Sequence, residues 1–399
     1  MHYLSCKNKQ ATLSFLEKFF ILVLSAYAIR SAWLAFDIPI IFIPLAYFCA
    51  PLFLIVVSEC YKLKLEKSEL YLSCLPLFYW FIAYIHPAGD YKIFANVLNL
   101  ITCLTFVLLP KKVKAQFYRC FYWLVQIQNI IAIFLYVCYR CNVPLGFEKV
   151  LFYSKSAEAN GFYYIKWHMF AVYNSFGIFY RLCGVFNEPG ALGTLCAFLF
   201  IGTYNTSKKW EKLLLLVTGV LTFSLAFFVL VVVFMFLHTV KKHKVAILVP
   251  VLLIPVFLAV PYIDFGNAQI NSFAARFKIT DKGIAGNNRT TDNFDKKFAE
   301  FTNSDRCYFG YGDGYVLDEG SSSYKNYIVY FGYIGATLLF VLWGGAGVWY
   351  SKKDTDCLIL LFMYFLSLYQ RQNAIMYVWG YTVLFGGMAW IQSNKERSP

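Results

Sequence analysis

The chain is short of charge. Only 15% of its 399 residues are Asp, Glu, Lys or Arg, and acids are the scarcer sign, 22 against 36 bases. Soluble globular domains carry about a quarter charged residues, so this composition excludes that class. Histidine is also scarce: the five present are scattered, so neither a Ser-His-Asp set nor a Cys-His pair can be assembled and nucleophilic catalysis has no support. No two CxxC motifs stand at zinc-like spacing, and the twelve Cys lie mostly inside apolar runs, as small buried hydrophobes do. Cys138-Tyr-Arg-Cys141 is the lone CxxC. Gly310, Gly312 and Gly314 lack the following Lys-Ser/Thr of a phosphate loop and read as a tight turn. Asp354-Thr-Asp356 matches a metal-holding DxD pattern, but beside two Lys in a tiny turn it is expected to hold no metal. No internal repeat is visible, which weakens transporter folds built from duplicated halves. The first apolar run lacks a small-residue cleavage site and is expected to be kept as a span.

Apolar sequence is what the chain has in abundance: 59% hydrophobic residues and a mean hydropathy of +0.55 indicate a polytopic membrane protein. The net charge of +14 falls in short loops between apolar runs, so it is topogenic charge and no nucleic-acid partner is expected. Forty-one Phe, 31 Tyr and 9 Trp exceed what one core absorbs and suit lipid-water interfaces or sugar platforms. Spans are expected over Phe19–Phe36, Ile38–Val57, Leu70–Ile85, Ile93–Leu109, Cys120–Cys138 and Pro189–Tyr204. Val245–Tyr262, Tyr327–Tyr350, Cys357–Tyr369 and Ala374–Ile391 follow. The run Leu213–Val240 has Lys clusters at both ends, so one crossing would put a cluster on the wrong side; two short spans meeting near Thr222-Phe-Ser224 satisfy the charge rule. Such a broken hairpin should line a working cavity.

The expected fold is all-α, a single membrane domain over residues 1–399 with about twelve transmembrane helices. Two extracytoplasmic segments interrupt it, Tyr139–Tyr180 and the long Ile263–Lys325 between spans nine and ten. In the second, Ile270, Phe273 and Phe277 and then Phe294, Phe298 and Phe301 recur at helical spacing, marking amphipathic helices on the membrane surface.

Candidate site residues lie on that outer side. Arg181-Leu-Cys-Gly-Val-Phe-Asn-Glu-Pro-Gly-Ala-Leu-Gly193 places an Arg, an acid and several Gly at the mouth of a span. Pro189 suits a first helical position, so Glu188 sits beside free helix-end amides. Two roles are open for Glu188, catalytic base or helix cap. Arg289, followed by Thr290, Thr291 and Asp292 as candidate caps of the Phe294 helix, is placed to grip a diphosphate with two donors; a solvated loop pairing with Asp292 and Asp295 is the bland alternative. Arg276 is a second cation of the same loop, and Arg371, on the last outer turn, either joins them or anchors at headgroups.

The pattern Arg181-x-x-Gly184-x-Phe186-x-Glu188-Pro189, then a span, a basic turn, a broken hairpin with Ser224, Arg289, Gly310-Tyr-Gly312, Ser322-Ser-Tyr324 and Gly332-Tyr-Ile-Gly335, resembles the Wzy-type O-antigen polymerases and related ligases. Resemblance covers the architecture of nearly the whole chain through short motifs. It implies a metal-independent glycosyltransferase of lipopolysaccharide biosynthesis with a helical, GT-C-like fold, multi-pass in the bacterial inner membrane and working at its periplasmic face. It further implies undecaprenyl diphosphate-linked glycans as donor and acceptor, a chain-length regulator as partner, Glu188 and Arg289 as catalytic, and Arg181, Arg276, Arg371 and Tyr324 as substrate-binding. Ligases carry a His near Ser323-Tyr324-Lys325, which favours the polymerase. The alternatives are a ligase and a lipid-linked oligosaccharide flippase; a flippase would want ionisable groups at mid-membrane.

Overall fold

A computed structural model describes residues 2–31, 42–61, 67–85, 93–151, 163–175, 179–242, 259–275, 277–280, 283–284, 291–313, 315–317, 323–368, 375 and 377–397. The protein is mostly helical. Five helices open the chain: α1 (His2–Ser31), α2 (Phe42–Tyr61), α3 (Lys67–Ile85), α4 (Ile93–Leu108) and α5 (Lys111–Arg140). They cover the apolar runs, but α1 and α5 start well before the expected Phe19 and Cys120, α5 taking in Lys111, Lys112 and Lys114; Pro51 and Pro76 sit inside α2 and α3. Pro110 marks the start of α5, as a residue lacking an N–H suits a helix entry.

Segment 139–180 is not the loop the composition suggests. A four-stranded antiparallel meander runs β1 (Glu148–Leu151), β2 (Tyr163–Trp167), β3 (Phe170–Ser175) and β4 (Phe179–Gly184), in sheet order β1-β2-β3-β4. Its tightest turn, between Trp167 and Phe170, is His168-Met169 with His168 at φ 47°. That turn lacks the Asn-Gly or Asp-Gly signature, and β2 shows no alternating burial, so neither signal marks the β2–β3 hairpin.

Pro189 starts α6 (Pro189–Thr203), every residue of which is buried. A helix apolar on all faces must be surrounded by protein, and α6 is the axis of the bundle. Next come α7 (Lys209–Leu221) and α8 (Leu225–Lys242), parted at Thr222-Phe-Ser224, where the sequence places a break. Phe223 takes φ 46° there. Gly193 of α6 lets the break approach: a Cβ on it would lie 2.7 Å from both the Thr222 Oγ1 and the Ser224 Cβ.

Most of the span expected at Val245–Tyr262 falls outside the described residues; a 3-10 turn, Val260–Tyr262, ends it. Helix α9 (Ala268–Ala275) and a short antiparallel ladder, β5 (Ile279–Thr280) with β6 (Gly283–Ile284), follow. Helix α10 (Asp292–Thr302) is capped by Thr291, whose Oγ1 accepts from the Phe294 amide at 3.1 Å. Its apolar face does not lie on a membrane surface: Phe294 and Phe301 are buried against Cys307 and Val329, with Tyr311 packed beside them. Helix α11 (Lys325–Tyr350) is kinked at Gly332, at φ 65° and ψ 179°. Segment 308–312 pairs with that kink, through Tyr311 N to Val329 O (2.8 Å) and Gly312 N to Tyr330 O (2.9 Å). Helices α12 (Thr355–Leu368), α13 (Val378–Tyr381) and α14 (Gly387–Lys395) finish the chain, a π-helical turn joining the last two.

Two helices among the described residues, α5 and α11, are long and apolar enough to cross a membrane. Large apolar side chains stand exposed along helix midsections, among them Phe48, Ile55, Phe134 and Val341, as lipid contact requires and water disfavours. Aromatics are only partly an interfacial belt: Trp343, Tyr364, Tyr381 and Phe385 form a buried stack, with Trp343 and Tyr364 5.6 Å apart and nearly parallel.

Lys-bearing ends of the helices meet at one end of the bundle. Lys111 pairs with Glu396 (2.6 Å), Lys241 with Asp356 (2.7 Å), and Lys395 with Asp354 (2.6 Å) and Asp356 (2.7 Å). Buried Lys114 faces Glu69 at 3.7 Å. The start of α7 adjoins Trp390 and Arg397, and the end of α8 reaches Asp356, so the run Leu213–Val240 leaves this end and returns to it.

Candidate active site at the opposite end

At the end away from the basic cluster, β4 runs into the mouth of α6. Strand pairing sets Arg181 opposite Tyr173 and turns its guanidinium onto the hairpin break. The Nε donates to the Thr222 carbonyl at 2.9 Å and Nη2 to the Phe223 carbonyl at 3.3 Å. Carbonyls at a helix end lack intrahelical donors and carry the negative end of the helix dipole, so a guanidinium is a strong closure for α7. Arg181 thus has a structural occupation that the sequence did not disclose.

Glu188 sits at the N-cap position of α6 with extended backbone, φ −143° and ψ 129°, as the following proline favours. Its carbonyl accepts from Ala191 N at 3.0 Å, but its side chain makes no capping hydrogen bond. Of the two roles open in the sequence, the side-chain cap is therefore not the one formed. The carboxylate is half-buried, and both it and Arg181 act on the buried Cys183 thiol. Burial pushes that thiol up, Arg181 opposes the shift and Glu188 adds to it. Burial likewise raises the Tyr164 phenol, with Cys183, Tyr173 and Glu188 contributing. Tyr164 donates its hydroxyl to the Asn187 carbonyl, so β2 reaches over the mouth and fixes the residue before Glu188.

Polar side chains of α5 make the floor. Gln128 Oε1 accepts from Val185 N at 3.2 Å, Gln128 Nε2 donates to Asn129 Oδ1, and Asn129 Nδ2 points at Cys196 Sγ, 3.7 Å away. Asn187 Oδ1 is a buried acceptor with no hydrogen-bond partner among the described residues. A buried orphan acceptor costs about 1–3 kcal/mol, and a ligand donor such as a sugar hydroxyl would recover it. Gln128 and Asn129 sit in an otherwise apolar run, and that interruption is the signal by which sequence reading could have found them.

Arg276, Arg289 and Arg371 lie outside the described residues. Tyr324 immediately precedes α11 and is half-buried. Next to it Lys325 pairs with Asp295 of α10 at 2.7 Å and covers the Phe298 ring, which clamps the helix after Arg289 onto the start of α11. Asp295, a candidate partner of Arg289 in the sequence, has Lys325 as a partner among the described residues.

One acid went unnoticed in the sequence. Asp313 is 4% exposed and accepts a hydrogen bond from the Tyr79 hydroxyl at 3.1 Å, with Tyr327, Tyr330 and Tyr377 within electrostatic reach. It sits on the Gly310–Gly314 stretch, whose glycines read as a turn; Gly310 and Gly312 do adopt positive φ, 80° and 106°. The turn's docking on α11 is what carries Asp313 into the interior. Asp354 and Asp356, the DxD pair, are engaged at the other end by Lys395 and Lys241.

No protein-family model, curated protein or solved structure matches the chain.

Proposed function

We propose that the protein is a surface-polysaccharide polymerase, joining undecaprenyl diphosphate-linked repeat units by glycosyl transfer at the periplasmic face of the bacterial inner membrane. The observation that carries this reading is Asn187 Oδ1 at the mouth of α6, a buried acceptor without a partner among the described residues, next in the chain to the Glu188 carboxylate at the helix start. In this reading the acceptor sugar donates a hydroxyl to Asn187 and presents the reacting hydroxyl to the Glu188 carboxylate. In the proposed step the acceptor hydroxyl oxygen attacks the donor's anomeric carbon. The bond from that carbon to the diphosphate oxygen breaks, undecaprenyl diphosphate leaves, and the hydroxyl proton passes to Glu188. Arg289 and Arg276 hold the leaving diphosphate, where charge develops, and Arg371 and Tyr324 contact the glycan. Arg181 supports the site chiefly by closing the hairpin beside it. Bases clustered at one end of the bundle and the Glu188 mouth at the other support an active site on the outer face.

A deletion strain complemented with variants tests the reading on surface-polysaccharide gels. Deletion should leave single repeat units on the acceptor. Loss of all units would point to a ligase or flippase. Glu188→Gln should slow polymerisation by about 100-fold or more, the usual worth of a positioned acid-base group, at unchanged protein abundance. Arg289→Ala should abolish long chains, and normal polymer length in that variant would sink the diphosphate assignment.

A further inference from the structure

At the basic end, a cavity of about 340 Å³ opens between the start of α5, the 203–208 turn, the first turn of α7 and the end of α14. Arg119, Lys208 and Arg397 line it, and none of the three has a carboxylate partner among the described residues. Their neighbours differ: Lys111, Lys241 and Lys395 at the same end are each neutralised at 2.6–2.7 Å. The one acid in the wall, Glu211, is buried and turned to other work, accepting from the Tyr122 hydroxyl at 3.0 Å and the Lys208 amide at 3.4 Å. Two hydroxyls in the wall have no hydrogen-bond partner among the described residues: Tyr118, whose residue is 0% exposed, and Ser207. A fully buried phenol without a hydrogen bond is costly, and so are three cations around one cavity whose single carboxylate is engaged elsewhere.

The geometry points to a site for a phosphoryl group at this cavity, supplied by the headgroup of an anionic phospholipid. Guanidinium and ammonium groups match the charge, and the Tyr118 and Ser207 hydroxyls give the neutral donors. Pockets for small molecules start at about 300 Å³, so the space exceeds a bare phosphate and fits a glycerophosphate head. Exposed Trp123, which lines the cavity, and Trp210, whose ring centre is 6.1 Å away, present indoles at the opening, as residues at a lipid interface do. This site lies at the opposite end of the bundle from Glu188, and its test does not depend on polymerase activity.

The experiment uses the full chain in nanodiscs of phosphatidylcholine, with and without phosphatidylglycerol. Thermal unfolding and native mass spectrometry of retained lipid are the readouts, and inorganic phosphate is titrated into the phosphatidylcholine discs. Phosphatidylglycerol should raise the unfolding temperature and remain bound. Arg119→Gln with Arg397→Gln should weaken its binding by about tenfold or more, while Lys352→Gln with Lys353→Gln, an equal charge loss elsewhere at that end, leaves it within about twofold. Tyr118→Phe should weaken phosphatidylglycerol binding several-fold and, by removing an unsatisfied hydroxyl, stabilise the protein in phosphatidylcholine but not in discs with phosphatidylglycerol. Equal losses in both double variants would reduce the effect to diffuse surface charge and overturn the site. A full effect from inorganic phosphate, with no dependence on phosphatidylglycerol, would overturn the lipid assignment. Equal stabilisation by Tyr118→Phe in both bilayers would show a ligandless hydroxyl and remove that residue from the proposal.

Discussion

Arg181 illustrates how one side chain joins two stretches distant in sequence. Its guanidinium bridges β4 to the carbonyls of Thr222 and Phe223, 41 and 42 residues away. Arg181→Ala should destabilise the fold by about 2–4 kcal/mol, counting two hydrogen bonds from a charged group at roughly 1–2 kcal/mol each once half-burial is allowed for. Arg181→Lys should recover only part, since an ammonium cannot reach both carbonyls in the guanidinium fork geometry. Hydrogen exchange around residues 220–226 in detergent is the measurement, with faster exchange expected in both variants. Gly332 makes a sharper case. Its positive φ is combined with close backbone contact, since a Cβ there would collide with the Tyr308 carbonyl. Gly146 also has positive φ but has open space around it. Gly146→Ala should therefore cost only the left-handed penalty, about 1–2 kcal/mol, and Gly332→Ala distinctly more by thermal unfolding. Equal costs would show that backbone conformation, and not the docked 308–312 segment, sets the requirement.

Among the elements, α10 shows why amphipathic spacing was read correctly and its partner was not. Phe294, Phe298 and Phe301 recur as a helix demands, and Thr291 caps it. Periodicity says only that one face is apolar; whether lipid or protein covers that face depends on where residues 307–311 and 329 come to lie. Thr291→Ala should cost about 1 kcal/mol of local stability, read as faster amide exchange across residues 292–302 while α5 is unchanged. The hairpin of α7 and α8 was more legible. Lysines at both ends of an apolar run and Thr-Phe-Ser in its middle are local facts, and the break appears at those residues. The sheet at 148–184 was not legible, because the tight turn between β2 and β3 uses His168-Met169, which carries no hairpin signature, and its strands are held down by packing on α5 and α6.

The whole molecule has two chemically distinct ends. At the basic end, burial alone would raise the Asp354 and Asp356 carboxyls, but hydrogen bonds and charge from Lys395, with Lys241 for Asp356, hold both below their ordinary value. Burial would lower Lys395, yet Asp354 and Asp356 raise it. The depressed carboxyls contribute stability that is present above the ordinary carboxyl value of 3.8 and lost as pH falls through their lower folded values. The raised lysine contributes stability present below 10.5 and lost as pH rises through its higher folded value. Asp354→Asn should therefore lower the unfolding temperature at pH 7 and flatten its decline between pH 4 and pH 2, whereas Lys353→Gln, outside the pairs, should leave that limb unchanged.

The apolar helical runs among the described residues, the Pro189 helix start, the hairpin break and a cap within Thr290–Asp292 were legible in the chain alone. Each depends on residues within a turn or two of one another, where propensity, proline geometry and charge act locally. Tertiary packing decided the rest. Asp313 meets Tyr79 across 234 residues, and Arg181 finds carbonyls on a helix break that nothing in its own strand anticipates. It also wraps α6 entirely in protein and leaves three cations around one cavity without a carboxylate partner among the described residues. Those outcomes depend on which faces are brought together once apolar surface is covered and helix-end polar groups are satisfied, and no local pattern encodes that pairing.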